Sequence, residues 1–183
     1  RLIVPFTPGG GTDTVSRQLI DKITQEYKWS FVIDNKPGAG GNIGLDLVAK
    51  AKPDGYSIAM GQTSNLAINP ALLNKMPFDA IKDLERLAVV AYAPSVLVVN
   101  SNSNITSVQE LIKVANANPG KLSYASAGVG SPAHLTGELF KSRQNIFILH
   151  IPYTGAPAAM TDQIAGRIDY HFANAAVALP QIK

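Results

Sequence analysis

Apolar residues in this chain fall into short runs, separated by polar turns rich in glycine and proline. The first run, Leu2-Ile3-Val4-Pro5-Phe6, has the length of a buried strand. Val15, Leu19, Ile23 and Tyr27 then recur every fourth position and predict one face of a helix. Between them lies Thr7-Pro8-Gly9-Gly10-Gly11-Thr12-Asp13. The same succession returns down the chain. Phe31-Val32-Ile33 predicts a second strand, followed by the turn Gly38-Ala39-Gly40-Gly41-Asn42 and a helix on Ile43, Leu47, Val48 and Ala51, stopped by Pro53-Asp54-Gly55. Ser57 to Met60 predicts a third strand, and Gly61 to Asn65 a polar loop before a short helix near Leu66 to Leu73. Strands alternating with helices argue for a parallel α/β sheet with its ligand site at the carboxyl ends of the strands.

Leu87 to Asn100, broken by Pro94, predicts two short strands or one bent strand leading out of a first lobe. The turn-forming segment Asn100-Ser101-Asn102-Ser103-Asn104 is the expected linker, which places one α/β lobe at 1–100 and a second at 101–183. In the second lobe, Val108, Leu111, Ile112 and Ala115 mark a helix ended near Pro119-Gly120. Leu122 to Ser126 predicts a strand, followed by the turn Ala127-Gly128-Val129-Gly130-Ser131-Pro132. Ser131 is suited to cap the next helix and Pro132 to open it, with Leu135, Leu139 and Phe140 on its apolar face. A strand from Ile146 to Tyr153, a helix from about Ala158 to Ala165, and a strand from Ile168 to Phe172 follow. Ala173-Asn174 then starts a last helix, and Leu179 to Lys183 reads as a helix stopped in mid-course. A lobe with so few strands is expected to be part of a longer protein.

Composition narrows the chemistry. Of the 183 residues, 46% are apolar and 16% charged, as in a globular protein with a core. The net charge of +3 is spread without basic runs, which argues against nucleic acid. Cysteine is absent, so disulfides and thiolate sites are excluded. No apolar run approaches a membrane span, and the chain opens on a strand, so either the protein is cytosolic or a leader has been removed.

Catalytic signatures are sparse. G-x-S-x-G is missing, and the Gly9 and Gly38 loops do not complete G-x-G-x-x-G. Gly128 to Ala133 fits the relaxed form, but no acidic residue follows about twenty positions on, so a dinucleotide site has little support. The three histidines lack metal-ligand spacing, and neither a metal nor a cofactor is expected. Ser131 and His134, three apart on a helix start, are read as cap and pocket wall before nucleophile and base. Asp13 either caps the first helix, the preferred reading, or meets a ligand ammonium or hydroxyl. The glycines of the first loop bring backbone N–H groups to a helix start, which fits an anion site as well as a tight turn. Two such starts, one per lobe, suit a small ligand with a carboxylate at each end. The expected ligand-binding residues are Pro8, Gly9, Gly10, Gly11, Asp13, Thr63, Ser64, Asn65, Ser126, Ala127, Gly128, Gly130, Ser131, His134, Tyr153 and Asn174. No arginine falls in these loops, so no guanidinium clamp is expected.

Several motifs also carry a family likeness. Val4 to Asp13, Asn35-Lys36-Pro37-Gly38-Ala39-Gly40-Gly41-Asn42-Ile43-Gly44, Pro53-Asp54-Gly55-Tyr56, Ala67 to Leu72, Pro119-Gly120-Lys121-Leu122, Tyr124 to Pro132, His150-Ile151-Pro152-Tyr153 and Ala178-Leu179-Pro180 resemble, in order, the signatures of Bug-type receptors. These are extracytoplasmic solute-binding proteins of tripartite tricarboxylate transporters. The resemblance implies a two-lobed, type II-like periplasmic-binding-protein architecture with mostly parallel sheets flanked by helices, truncated at its C-terminus. It further implies a non-enzymatic periplasmic receptor, monomeric at full length, that closes like a flytrap on a small carboxylate for membrane transporter partners. Members hold a carboxylate through backbone groups near the first glycine loop and the loop after Ser126. Ala173 stands where members often carry an acid, which argues against an amino-acid ligand, and Tyr153-Thr154-Gly155 departs from the usual Tyr-Lys/Arg-Gly turn.

Overall fold

A computed structural model describes residues 1–182. The chain divides into two units, Arg1 to Ala93 and Pro94 onward. In the first unit, β1 (Leu2–Val4) continues through an irregular turn into α1 (Gly11–Tyr27). β2 (Ile33–Asn35) leads through a 3-10 turn at Ala39–Gly41 to α2 (Asn42–Ala49). β3 (Ile58–Ala59) precedes a π turn at Ser64–Ile68 and α3 (Asn69–Leu72). The sheet is fully parallel in the order β2-β1-β3, with Leu2 opposite both Ile33 and Ile58. Leu2 and Val4 pack with Ile20 of α1, while Ile3 projects to the opposite face by strand alternation.

The second unit carries β4 (Ser95–Val99), α4 (Val108–Ala117), β5 (Ser123–Ser126), α5 (Pro132–Gln144), β6 (Leu149–Pro152), α6 (Ala156–Ile164), β7 (Tyr170–Asn174) and α7 (Ala175–Ala178). Its order is β4-β7-β5-β6, parallel except for β4, which runs antiparallel to β7. Leu111, Ala115, Leu122, Tyr124, Ile146, Ile148 and Tyr170 form the core on one face. Ala125, Ala159 and Ile168, with Met160, Ala173 and Ala178 beside them, fill the other.

Several expectations shift. The buried face of α1 is Asp13, Ser16 and Ile20 rather than the apolar stripe Val15, Leu19, Ile23, Tyr27, whose end residue Tyr27 is exposed. The first turns of α1 pack against a polar network at the sheet's carboxyl edge, and this decides the rotation. α2 likewise buries Asn42, Gly44 and Leu45 and exposes Ile43 and Leu47, because Gly44 lets the helix backbone approach Pro5 and Lys36. In α5 the buried positions are Ala133 and Gly137, while Leu135 and Leu139 stay exposed. β2 lies two residues later than Phe31-Val32-Ile33, where pairing with β1 places it, and Val32 is exposed.

The run from Leu87 forms no ladder before Ser95, and Leu87, Val89 and Tyr92 are exposed. β4 belongs to the second unit rather than leading out of the first, and Asn100 to Asn104 follows it as a turn within that unit. Asn100 Nδ2 donates to the carbonyls of Gln163 (3.1 Å) and Ile164 (2.7 Å), tying this turn to the end of α6. Leu179–Gln181 forms a 3-10 turn; the expectation for Lys183 lies outside the described residues.

His171 of β7 is buried among the apolar residues of its layer, and its Nδ1 has no partner. Burial pulls its pKa down from 6.5 to about 4. The folded state therefore disfavours the proton, so stability is retained above pH 6.5 and declines as pH falls from there toward 4. The displacement corresponds to at most roughly 3 kcal/mol. His171→Leu is expected to flatten this decline in urea titrations of the full-length protein at pH 7.5 and pH 5. An unchanged slope in the variant would assign the acid sensitivity to other groups.

Candidate functional site

Each unit has its own cluster at the carboxyl end of its sheet. In the first, β1 ends at Val4 and the chain turns through Gly9, whose φ of +75° suits glycine, into Gly10, the N-cap of α1. Gly10 has extended dihedrals and no side chain to cap the helix. The N–H groups of the first turn of α1 therefore find no acceptor in the helix itself. Asp13 is not the N-cap. It sits in the first turn and reaches back, its Oδ2 accepting from Gly9 N–H (2.9 Å) and Arg17 Nε–H (2.9 Å). Its Oδ1 accepts from Asn35 Nδ2 (2.9 Å), and the same amide also donates to Phe6 O (3.0 Å). Burial alone would push the Asp13 carboxyl up, but Arg17, Gly9 and Asn35 together hold it below the ordinary carboxylate range. Both Asp13 oxygens accept from protein donors and so brace the loop against α1 and β2.

The 61–65 segment meets this loop, since Gln62 Nε2 donates to Thr12 Oγ1. Asn65 Oδ1 accepts from Gln62 N–H (2.8 Å), and Ser64 Oγ donates to Gln62 Oε1 (3.4 Å). Ser64 and Asn65 are buried, while Thr63, Pro8 and Gly9 are exposed. Asn65 Nδ2 has no partner and lies against Gly41, where a Cβ would strike it and the Phe6 ring. Ser64 and Asn65 thus begin a helical turn rather than standing in a loop.

In the second unit, Ser131 caps α5 as expected, accepting from His134 N–H (3.3 Å), with Pro132 in the first turn. This cap consumes donors. Pro132 has none, and Gly130 N–H is taken by His134 Nδ1 (3.2 Å), so α5 presents fewer free N–H groups than the glycine pattern suggests. The Ser131 hydroxyl meets the His134 backbone, and it is Gly130 that meets the imidazole. The uncapped start here is that of α6, after Gly155. Asn174 Oδ1 accepts from Ala176 N–H (2.9 Å) and caps α7. Tyr153 O–H donates to Asp162 (2.7 Å), which is also paired with Arg167. Ser126 is buried, its Oγ 2.6 Å from His150 Nε2. Among the described residues no cluster of His, Asp or Glu is arranged to hold a metal, and no helix is long and apolar enough to cross a membrane.

Sequence reasoning missed Arg17, Asn35, Gln62, Gly155 and His150. Asn35 was legible as part of a motif. His150 also opens a motif, but its contact with Ser126 was not legible, because it depends on β6 pairing beside β5, with Tyr124 opposite His150.

Helix starts gathered at the carboxyl ends of mainly parallel strands, in two successive α/β units, define an open α/β fold with ligand sites at the strand ends. Similarity to solved structures places it in the periplasmic-binding-protein class. R. palustris Rpa4515 with adipate superposes with a TM-score of 0.95 at 36% identity, over 98% of this chain and 60% of that one. The periplasmic binding protein BugD gives 0.92 at 31%, over 99% and 60%. MatC from Rhodopseudomonas palustris with bound malate gives 0.89 at 26%, over 98% and 61%. The chain belongs to the tripartite tricarboxylate transporter receptor family (TctC), whose family model matches residues 15–183. A relative from Pseudomonas sp. strain P51, encoded in the tcbD-tcbE intergenic region, is 41% identical over 91% of this chain. The chain spans about half the length of the curated relatives it matches, 49% in that case.

Proposed function

We propose that the protein of which this chain is part is a periplasmic receptor that captures a small carboxylate, a dicarboxylate in particular. It delivers the ligand to the membrane components of a tripartite tricarboxylate-type transporter. The observation that carries this reading is the uncapped start of α1 at Gly10, in a loop braced from within by Asp13, Asn35 and Arg17. A ligand carboxylate supplies the acceptor that the helix lacks. The backbone at Pro8 to Gly11 is the proposed seat in the first unit, with Thr63 beside it and Ser64 and Asn65 as support. Ala127, Gly128, Gly130, Ser131 and His134 form the counterpart in the second unit, with the buried Ser126 as support and Tyr153 and Asn174 flanking it. Adipate and malate in two related structures, both dicarboxylates, support the ligand class.

The full-length protein is expected to be stabilised in a thermal-shift screen by at least one di- or tricarboxylate, with adipate and malate in the panel. No shift with any acid, or tighter binding of a dinucleotide, would overturn the reading. Gly10→Asp is the sharper arm. Asp is a favoured N-cap, so the variant should fold at least as stably while its own carboxylate occupies the ligand's N–H groups and binding is lost.

The 2.6 Å Ser126–His150 pair also invites a hydrolytic reading. Three features oppose it: Ser126 is inaccessible, no described carboxylate bonds the second nitrogen of His150, and the ring is a weak base with a pKa pulled down to about 4. Activated esters should not be turned over above background.

A further inference from the structure

The bonding around Ser126 has a second consequence. Its Oγ lies at the end of β5, where the second glycine loop begins, and meets three groups. Gly128 N–H donates to it at 3.1 Å, Gly128 O lies 3.1 Å away, and His150 Nε2 lies 2.6 Å away. The hydroxyl has a single hydrogen, so the state of His150 decides whether that hydrogen goes to the ring or to the loop carbonyl.

His150 is held flat between two rings. Tyr124 stacks on it with centroids 4.8 Å apart, and His134 with centroids 4.4 Å apart. The base of the stack is anchored: Tyr124 O–H donates to Glu138 Oε1 (2.7 Å), and Lys141 pairs with both Glu138 oxygens (2.8 and 3.0 Å). His134 uses Nδ1 to accept the Gly130 N–H, so that nitrogen carries no proton. One imidazole therefore ties the loop at Ser126 and Gly128, the other ties it at Gly130, and the two lie against each other.

We propose that His150 is a positioning residue of the second glycine loop: through Ser126, which holds the Gly128 N–H, and through the stacked His134, which holds the Gly130 N–H, it sets the orientation of the loop backbone at 127–130 that a ligand anion meets. The proposal rests on the reading of this loop as part of the binding site. It makes that site pH-dependent. A proton on His134 Nδ1 would displace the Gly130 N–H, and a second charge stacked on the first would be repelled. The groups facing the pair are Glu138 and Lys141 of α5, Tyr124 of β5 and, beyond it, Tyr170 of β7. Glu138 favours protonation; burial, His134 and Lys141 oppose it and prevail for His150.

The test uses the full-length receptor, with adipate and malate titrated by calorimetry from pH 8 to pH 5, and 15N spectra of the imidazoles and the loop amides. In the wild type, affinity corrected for titration of the acids' own carboxyls should hold from pH 8 to pH 6 and only begin to fall by pH 5, because His150 has its pKa pulled down to about 4. His150→Phe keeps the stack and loses Nε2; it should weaken binding about tenfold at pH 7.5 and move the Gly128 and Gly130 amide signals. His150→Gln places an amide oxygen near the lost nitrogen and should recover part of the affinity with a flatter pH profile, which a purely structural role would not produce. Loop amides unmoved in His150→Phe, or variant affinities within twofold of the wild type with the same pH profile, would overturn the proposal. If neither acid binds the wild type while the amides move as expected, the choice of ligand falls and the positioning role stands.

Discussion

Asp13→Ala is expected to destabilise the protein by about 3 kcal/mol at pH 7 and to abolish ligand binding. The carboxylate is almost fully buried and serves three donors, Gly9 N–H, Asn35 Nδ2 and Arg17 Nε. Removing it takes the acceptor from the part-buried Gly9 N–H and from one hydrogen of Asn35 Nδ2, the other keeping Phe6 O, at roughly 1–3 kcal/mol each. Arg17 is half exposed and rehydrates, which keeps the total below the sum. Asp13→Asn should cost less, about 2 kcal/mol, because one oxygen survives while the new NH2 confronts the remaining donors. The carboxyl is held below its ordinary 3.8, so its contribution is present above that pH and disappears as pH falls through the lower folded value. Urea unfolding at several pH values checks both points. The wild type and Asp13→Ala should differ at pH 7 and converge at the acid end. A difference under about 1 kcal/mol at pH 7 would mean that the loop is held by something other than this carboxylate.

The second large effect concerns Gly137, in the middle of α5. A Cβ at this position would lie 2.6 Å from Cζ and 2.9 Å from Cδ2 of Tyr124, a ring with no exposed surface. Alanine is the better helix former by about 1 kcal/mol, so propensity alone forecasts a gain. Overpacking a rigid aromatic costs about 1–3 kcal/mol, and displacing this ring also strains its bond to Glu138 and its stack on His150. Gly137→Ala should therefore be destabilising by about 2 kcal/mol net. Tyr124→Leu makes room for the methyl group, so the double variant should lose less than the sum of the singles. A coupling above about 1 kcal/mol in the double-mutant cycle is expected, and additivity would show that the helix and the ring do not meet as described.

The order of strands, turns and helices was legible because each signal is local. Ser131 and Pro132 announce a helix start through a hydroxyl three residues from its partner and a ring with the right φ, and both occupy those positions. The glycine loops were legible for the same reason, since Gly9, Gly128 and Gly130 take positive φ where the chain must turn sharply. The motif order identified the family, and the family model bears this out.

Which residues face inward was less legible. The apolar stripe of α1 pointed to Val15 and Tyr27, yet the helix turns Asp13 and Ser16 inward. The polar partners waiting there, Gly9 N–H and Asn35, come from the preceding loop and from a neighbouring strand. β2 could not be placed to the residue without knowing its register on β1, and the apolar run from Leu87 to Ala93 forms no ladder in spite of its composition.

By itself the sequence determined the alternation of strands and helices, the glycine loops, the cap on α5 and the family, all of them set by residues near one another or by motif order. Only the tertiary structure decided which helix starts keep free N–H groups. Gly10 and Gly155 carry no side-chain cap, although Pro157 removes one donor from the start of α6, while Ser131 takes the His134 N–H. Only the pairing of β5 with β6 brought His150 to Ser126. A hydrogen bond between residues 24 positions apart depends on strand register, and register follows from the packing of the whole sheet.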